Sequence, residues 1–151
     1  MPSIVISDTS CLVILDNIGE LDLLGKVYST VFTTPEVISE FSGKLPDWVI
    51  IERVKDKDYQ KFLETHVDLG EASTIALAME KNSPLLLLDD LKARKLAFKL
   101  KIKFTGTLGV IHKAKQIGVI EKVTPIIEKL LATNFRISKI IVDELLKRSN
   151  E

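Results

Sequence analysis

The sequence predicts an α/β fold, a parallel sheet with helices on both faces, and three observations carry that reading. Short apolar runs of strand length alternate with stretches whose apolar residues recur at helical spacing. The run Leu85-Leu86-Leu87-Leu88 is apolar at every position between Pro84 and Asp89-Asp90. It is too short for a buried helix and suits a strand covered on both sides. Residues that cap helices, Asp8, Thr34-Pro35 and Asp68, stand where one kind of segment gives way to the other.

Taken in order, Ile4-Val5-Ile6 is a β-branched strand that stops at Ser7-Asp8. Leu12, Leu15, Ile18, Leu21 and Leu24 make a helical stripe, which Gly19 splits into two short helices. Val31-Phe32-Thr33 reads as a strand. Pro35 opens a helix capped by Thr34, with Val37, Ile38 and Phe41 inward. Trp48 to Val54 reads as a strand and Lys57 to His66 as a polar helix. Asp68 caps a helix whose inward stripe is Leu69, Ala72, Ile75, Ala76 and Met79. After the leucine strand come a helix over Leu91 to Leu100, a strand over Ile102 to Thr105 and a helix over Thr107 to Gln116. The tail from Ile120 to Arg148 gives two amphipathic helices broken near Asn134, with Val123, Ile126, Ile127, Leu130 and Leu131, then Ile137, Ile140, Ile141 and Leu145, as apolar stripes.

At 151 residues, 46% hydrophobic and 28% charged, the chain is read as one domain, 1–151, with about 121–151 as a helical extension packed on it. No apolar run approaches the roughly 18 residues of a membrane span. The start, Met1-Pro2-Ser3-Ile4-Val5, has no basic segment ahead of its apolar residues, so no signal peptide is expected. A single cysteine, Cys11, excludes an internal disulfide, and no Cys/His pairs have zinc spacing. A reduced, cytoplasmic setting with no membrane partner is the expectation. His66 and His112 lack a triad or zinc context and receive no chemistry.

The net charge of zero conceals an asymmetry. Residues 1–90 carry 7 Lys/Arg against 16 Asp/Glu, a balance of −9; residues 91–151 carry 14 against 5, a balance of +9. This pattern fits an acidic site beside a polyanion-binding surface, and equally fits basic residues coating the solvent faces of late helices.

Ligands of open parallel sheets gather beyond the carboxyl ends of the strands. Asp8 follows the first strand and Asp89-Asp90 the leucine strand; Glu40 ends the helix after the second strand, and Glu71 lies in the first turn of the helix before the leucines. A few carboxylates from different elements suffice for a hard divalent cation, whereas without a cation they raise each other's pKa values. Each acid also has a structural explanation. Asp8, Asp89 and Asp90 stand where helix caps stand, Glu71 has the spacing of a capping-box partner to Asp68, and Glu40 shares a helix face with Glu36.

The stretch Val5-Ile6-Ser7-Asp8-Thr9-Ser10-Cys11-Leu12 resembles the opening of PIN domains, a strand ending in an aspartate followed by small hydroxyl residues. Pro35-Glu36-Val37-Ile38-Ser39-Glu40-Phe41 resembles the segment that supplies their second acid. Gly70-Glu71-Ala72-Ser73-Thr74-Ile75-Ala76-Leu77-Ala78 looks like a helix carrying a later acid in one PIN-like subfamily. Leu87-Leu88-Asp89-Asp90-Leu91-Lys92-Ala93-Arg94-Lys95-Leu96-Ala97 with Thr105-Gly106-Thr107-Leu108-Gly109-Val110 is similar to that subfamily's distal half. The resemblance spans about residues 4 to 120.

The resemblance implies a three-layer, Rossmann-like α/β/α fold and metal-dependent cleavage of single-stranded or structured RNA, often as the toxin of a toxin–antitoxin pair. Position by position it implies Asp8, Glu40, Glu71 and Asp89 as the catalytic acids, with Asp90 the alternative to Asp89. PIN domains more commonly have aspartate where Glu71 stands. On this reading Asp8 and Asp89 anchor Mg²⁺ or Mn²⁺, Glu71 is a direct or water-mediated ligand, and Glu40 orients the attacking water or holds a second ion. Ser10 and Thr107 contact metal-bound waters or the phosphate, unless they only cap helices. Lys92, Arg94 and Lys95 engage RNA phosphates, unless they are merely a solvated face.

The rival reading is an inactive PIN-like module that binds nucleic acid or protein. A receiver, a haloacid-type phosphatase and a nucleotide-binding domain fit poorly. The acidic pair follows a late strand, position 10 is Ser, and Asp8-Thr9-Ser10-Cys11 offers no Gly-rich phosphate loop. The tail's apolar stripes are expected on the domain's own core, with a homodimer or antitoxin interface as the minority alternative.

Overall fold

A computed structural model describes residues 4–151; the expectation drawn from Met1, Pro2 and Ser3 lies outside them. Five parallel strands form one sheet: β1 (Ile4–Ser7), β2 (Val31–Thr33), β3 (Val49–Ile51), β4 (Pro84–Leu87) and β5 (Lys103–Thr105), in the order β3-β2-β1-β4-β5. The chain winds outward from β1 to β3, then crosses to the other side of β1 to lay down β4 and β5. The switch point, where α/β sheets open a crevice for ligands, therefore lies between β1 and β4. These two strands pair Ile4 with Pro84 through Ser7 with Leu87.

The leucine run is uniformly apolar because both its faces are covered. Leu86 and Leu88 join Ile6 in a core closed by Ala72, Ile75, Ala76, Ala93 and Ala97. Leu85 and Leu87 face the opposite core, with Val5, Leu12, Leu15, Leu24 and Val110. The first layer is built by α4 (Lys57–Leu63), α5 (Leu69–Met79) and α6 (Leu91–Lys99), the second by α1 (Thr9–Asn17), α2 (Asp22–Tyr28), α3 (Pro35–Glu40) and α7 (Thr107–Gln116). This is the three-layer α/β/α architecture.

A third apolar cluster sits outside the second layer. Helices α8 (Thr124–Leu131) and α9 (Lys139–Arg148) place Ile126, Ile127, Leu130, Val142 and Leu145 against Leu23, Val27, Ile111 and Ala114 of α2 and α7. Truncating such a fully buried leucine to alanine costs about 2–5 kcal/mol. No helix among the described residues is long and apolar enough to cross a membrane.

Several expected boundaries and faces differ. The strand expected from Trp48 to Val54 shrinks to three residues, because Glu52 N is the last amide to bond β2, at Thr33 O. The helix over Lys57–His66 ends at Leu63. Leu69 and Met79 are exposed rather than inward, since α5 buries Gly70 through Ala78 on small side chains wedged among the sheet, α3 and α4. In the tail, Leu131, Ile140 and Ile141 face solvent. Once Val142 and Leu145 point inward, a rotation of about 100° per residue puts Ile140 on the far side of α9 and leaves Ile141 at the flank of the buried face, half exposed.

Candidate functional site

Asp8 sits where β1 runs out, its amide donating to Leu87 O at 3.0 Å. Thr33 Oγ1 donates to Ser7 O at 2.8 Å and fastens β2 alongside. The neighbouring strands thus hold Asp8 at the switch point, and the side chain is only 2% exposed. Although Asp8 occupies the N-cap position of α1, its side chain makes no capping hydrogen bond. Its Oδ1 is a buried oxygen without a partner among the described residues. Such an atom costs stability unless something absent from the chain itself satisfies it.

Three more acids surround it. Burial raises the Asp8 carboxyl to about 7; the Thr9 N–H pulls it down, but Glu71, Asp68 and Glu40 push it up further. Glu71 is likewise raised to about 7, by burial first, with Asp68 and Asp90 adding to it against the Asp68 N–H. Glu71 also forms the capping box, its Oε1 accepting from Asp68 N at 3.2 Å while Asp68 Oδ1 accepts from Glu71 N at 2.8 Å. The capping box engages Glu71 Oε1 and leaves its second oxygen uncommitted.

Glu40 is exposed, and its Oε2 accepts from Thr9 Oγ1 at 2.9 Å. It reaches the site because Thr34 Oγ1 and Ser73 Oγ, 2.6 Å apart and buried, clamp α3 to α5. Glu36, one turn earlier on α3, shows what a structural acid looks like. Burial pushes its carboxyl up, but the Gln60 amide at 2.5 Å and Lys57 outweigh that and hold it below its ordinary value.

The point where a side chain on Gly70 would begin lies 3.4 Å from Asp8 Oδ1, 3.3 Å from Glu40 Oε2 and 3.2 Å from Thr9 Oγ1. A glycine in the first turn of α5 therefore leaves a small polar cradle over Asp8.

The two adjacent aspartates divide their work. Asp90 caps α6, its Oδ2 accepting from Ala93 N at 2.9 Å, and its charge bears on Glu71. Asp89 caps nothing on α6. Its Oδ1 accepts from Thr107 N at 2.9 Å and its Oδ2 from Thr107 Oγ1 at 2.6 Å, so it supplies the cap that Gly106 cannot give α7. Thr107 is buried and its hydroxyl is spent on Asp89, so it bears on the site through that carboxylate. Cys11, fully buried, feels both Asp89 and Asp8, and burial drives its thiol far up.

Ser10 is half-buried in the first turn of α1. Lys92 and Lys95 are exposed on α6, whereas Arg94 is half-buried. Arg94 Nε donates to Leu88 O at 2.6 Å and its guanidinium lies over Phe104, 5.3 Å from the ring centroid. The structure thus gathers Asp8, Glu40, Glu71 and Asp68 in one place, sets Asp90 beside Glu71, and turns Asp89 toward α7. Thr9, Asp68 and Gly70 were not singled out from the sequence as site residues. The signal for them was a glycine between two acids in the first turn of a helix, a place where glycine is a poor helix former.

The fold is thus a parallel α/β sheet with carboxylates near its switch point and no phosphate loop. A family model described as DUF3368: PIN domain matches residues 4–151, and the chain belongs to this PIN-domain family. PIN domains are generally nucleases and typically use divalent metals, so the chain carries a nuclease-type hydrolase fold. Comparisons with curated proteins and with solved structures give no match.

Two features of the site fit a divalent cation: the unpartnered buried Oδ1 of Asp8 and the cradle left by Gly70. Oxygen ligands are also what a hard cation takes. Among the described residues no three Asp, Glu, His or Cys side chains converge tightly enough to enclose an ion as they stand. Acids with no cation between them repel, and Glu71, Asp89 and Asp90 each hold a backbone amide instead.

Proposed function

We propose that this chain is a ribonuclease that hydrolyses RNA phosphodiester bonds with Mg²⁺ or Mn²⁺ held by its carboxylates. The observation that carries the reading is Asp8: buried, unpartnered at Oδ1, and ringed by like charges at the switch point of the sheet. A cluster built for stability alone would have satisfied that oxygen, as Glu36 is satisfied.

Asp8 and the free oxygen of Glu71 would hold the ion, with Asp89 or Asp90 completing the set. Asp90 keeps one oxygen outside its cap, whereas Asp89 has to give up a Thr107 bond first. A bound divalent ion supplies charge for the phosphoryl oxygens and a more acidic water. Glu40, steadied by Thr9, would orient an attacking water and take up a proton at its carboxylate. Lys92 and Lys95 hold flanking phosphates, which positions RNA without reading its sequence. Arg94 and Thr107 act indirectly, by fixing the end of β4 and the Asp89 carboxylate.

The family resemblance supports a toxin role with an antitoxin protein as partner, in a reduced, cytoplasmic setting. The exposed Leu131, Ile140 and Ile141 offer a surface for an antitoxin or for a second copy in a homodimer. A second reading, an inactive PIN-like binding module, draws on the lack of a ready-made ligand trio. Asp8→Asn separates the two. It is expected to cut Mn²⁺-dependent RNA cleavage by at least a hundredfold and to abolish calorimetric Mn²⁺ binding. Cleavage at the parent rate in the variant refutes the metal-site proposal, and a parent that neither binds Mn²⁺ nor cuts RNA favours the binding module.

A further inference from the structure

The edge of the sheet beyond β4 carries a surface that the carboxylate site does not explain. Residues 91–120 hold eight Lys/Arg and no Asp or Glu. Lys92, Lys95, Lys99, Lys101 and Lys103 are exposed, and they line one side of the molecule along α6 and β5. Among the described residues β5 pairs with β4 alone, so it is an edge strand. Phe98, in the middle of this basic stretch, is 75% exposed. Phe98 is not a lone exposed side chain: it walls an apolar hollow with Ile102 and Phe104, and an exposed apolar patch among cations is the kind that marks a binding surface.

Two hollows share the Lys101–Lys103 segment as a ridge. One, of about 550 Å³, is lined by Phe98, Ile102 and Phe104 with Lys99, Lys101 and Lys103 at its rim. The other, of about 700 Å³, lies across the ridge, between Met79 and Leu100. The first joins aromatic walls to ammonium groups, the combination that takes a base by stacking and its phosphate by charge; the second is aliphatic, with ammonium groups at its rim. The first hollow is also tied to the carboxylates. Its Phe104 lies beneath the Arg94 guanidinium, and both Arg94 and Asp89 press against Gly106, where a Cβ would lie 2.5 Å from Asp89 Oδ1. The three residues of β5 span only about 10 Å, a distance that one strand of nucleic acid bridges.

We propose that this edge is a track for single-stranded RNA leading away from the carboxylate site, with a base stacked on Phe98 and phosphates held by Lys99, Lys101 and Lys103. The inference rests on the nuclease reading and adds to it the surface that the RNA flank follows and the side chains that hold it. A duplex keeps its bases stacked on one another and has none to lend to the hollows. The charge of the edge, unrelieved by any acid over thirty residues, matches a polyanion.

The test is fluorescence anisotropy of an unstructured, labelled oligoribonucleotide and of its duplex, without divalent metal, across a salt series. The parent is compared with Phe98→Ala and with Lys101→Ala/Lys103→Ala, whose side chains are exposed and whose melting temperatures are expected to match the parent's. Phe98→Ala is expected to weaken single-strand binding about tenfold with the salt slope unchanged. The double lysine variant is expected to lower that slope by about 1.4, two contacts at the single-strand value. Duplex is expected to bind the parent more weakly than single strand. Variants that bind like the parent, or a parent that prefers duplex, overturn the track; a surface that serves an acidic protein segment instead gives the first of these results. RNA cleavage by the parent in Mn²⁺ is read separately. Single-strand binding lost in both variants, with no cleavage by the parent, upholds the track and sinks the nuclease reading. Cleavage with unaltered variant binding sinks the track alone.

Discussion

Two carboxylates in this protein, Asp8 at the sheet edge and Glu151 at the end of the C-terminal layer, live in opposite electrostatic worlds. Glu151, its side chain only 8% exposed, accepts from Val123 N, Thr124 N, Thr124 Oγ1 and Lys115 Nζ, two donors on each oxygen. Burial pushes its carboxyl up, yet those donors hold it at about 2. Asp8 has one unpartnered oxygen and like charges around it, and stands at about 7. The same chemical group is a fastener in one place and a liability in the other. Asp8 is buried at the sheet edge with too few donors, whereas Glu151 sits at the surface of the C-terminal layer with four, and both differences separate their pKa values.

The largest expected consequence is a stability slope with pH. A carboxyl whose folded pKa exceeds its unfolded value holds its proton more tightly when folded, so stability falls as pH rises between the two. For Asp8 that window runs from the ordinary 3.8 to about 7, and the loss is bounded by on the order of 4 kcal/mol. Glu71 acts in the same direction from 4.5 to about 7. Denaturant melts of metal-free protein are expected to show a midpoint that declines from pH 4.5 to 7.5 and recovers when Mn²⁺ is added at pH 7.5. Asp8→Asn should flatten much of the decline and be more stable than the parent at pH 8, while losing the Mn²⁺ response. A parent midpoint that climbs over this window breaks the comparison.

Glu151 is expected to behave with the opposite sign. Its depressed pKa contributes stability that is present above 4.5 and lost as pH falls toward about 2. Removing its cap of α8 by Glu151→Ala is expected to cost about 1 kcal/mol, the usual worth of a helix cap. Thermal melts at pH 7 check this, with RNA cleavage unchanged. A variant that melts like the parent would mean that the four donors find water equally good partners.

Much of the fold was legible because the core writes itself into the sequence as period and run length. The Leu85–Leu88 run announced a strand covered on both faces, and Gly19 marked the break between α1 and α2, where it sits at φ +72°. Single positions on amphipathic helices were less legible. Met79 and Ile140 carry the same apolar signal as Ile75 and Val142, and only packing decides which of them is covered. For the candidate site, spacing located the acids near one edge but did not divide their hydrogen bonds. That Asp89 would bond α7 while Asp90 caps α6 depends on where β5 delivers Thr107, a tertiary fact with no local signature. The role of Asp68 was hidden for a similar reason, since one carboxylate can cap a helix and charge its neighbour at once.

The smallest expected effect on stability is the sharpest on geometry. Gly70→Ala adds one methyl group at a point 3.4 Å from Asp8 Oδ1 and 3.3 Å from Glu40 Oε2, tighter than an ordinary contact but short of a collision. In the first turn of α5, alanine is favoured over glycine by up to about 1 kcal/mol, which offsets the crowding, so the melting point should scarcely move. The methyl nonetheless occupies the cradle over the unpartnered oxygen and forces Glu40 or Asp8 to shift by a few tenths of an ångström. A displacement of that order in a carboxylate set is expected to weaken Mn²⁺ binding and cleavage about tenfold, since outer contacts of a metal site carry effects of this size. Calorimetric titration with Mn²⁺ beside a thermal melt separates the two effects. Unchanged metal affinity would show that the space above Asp8 is not where the ion sits, and would move the search to the side of Asp8 nearer Asp89.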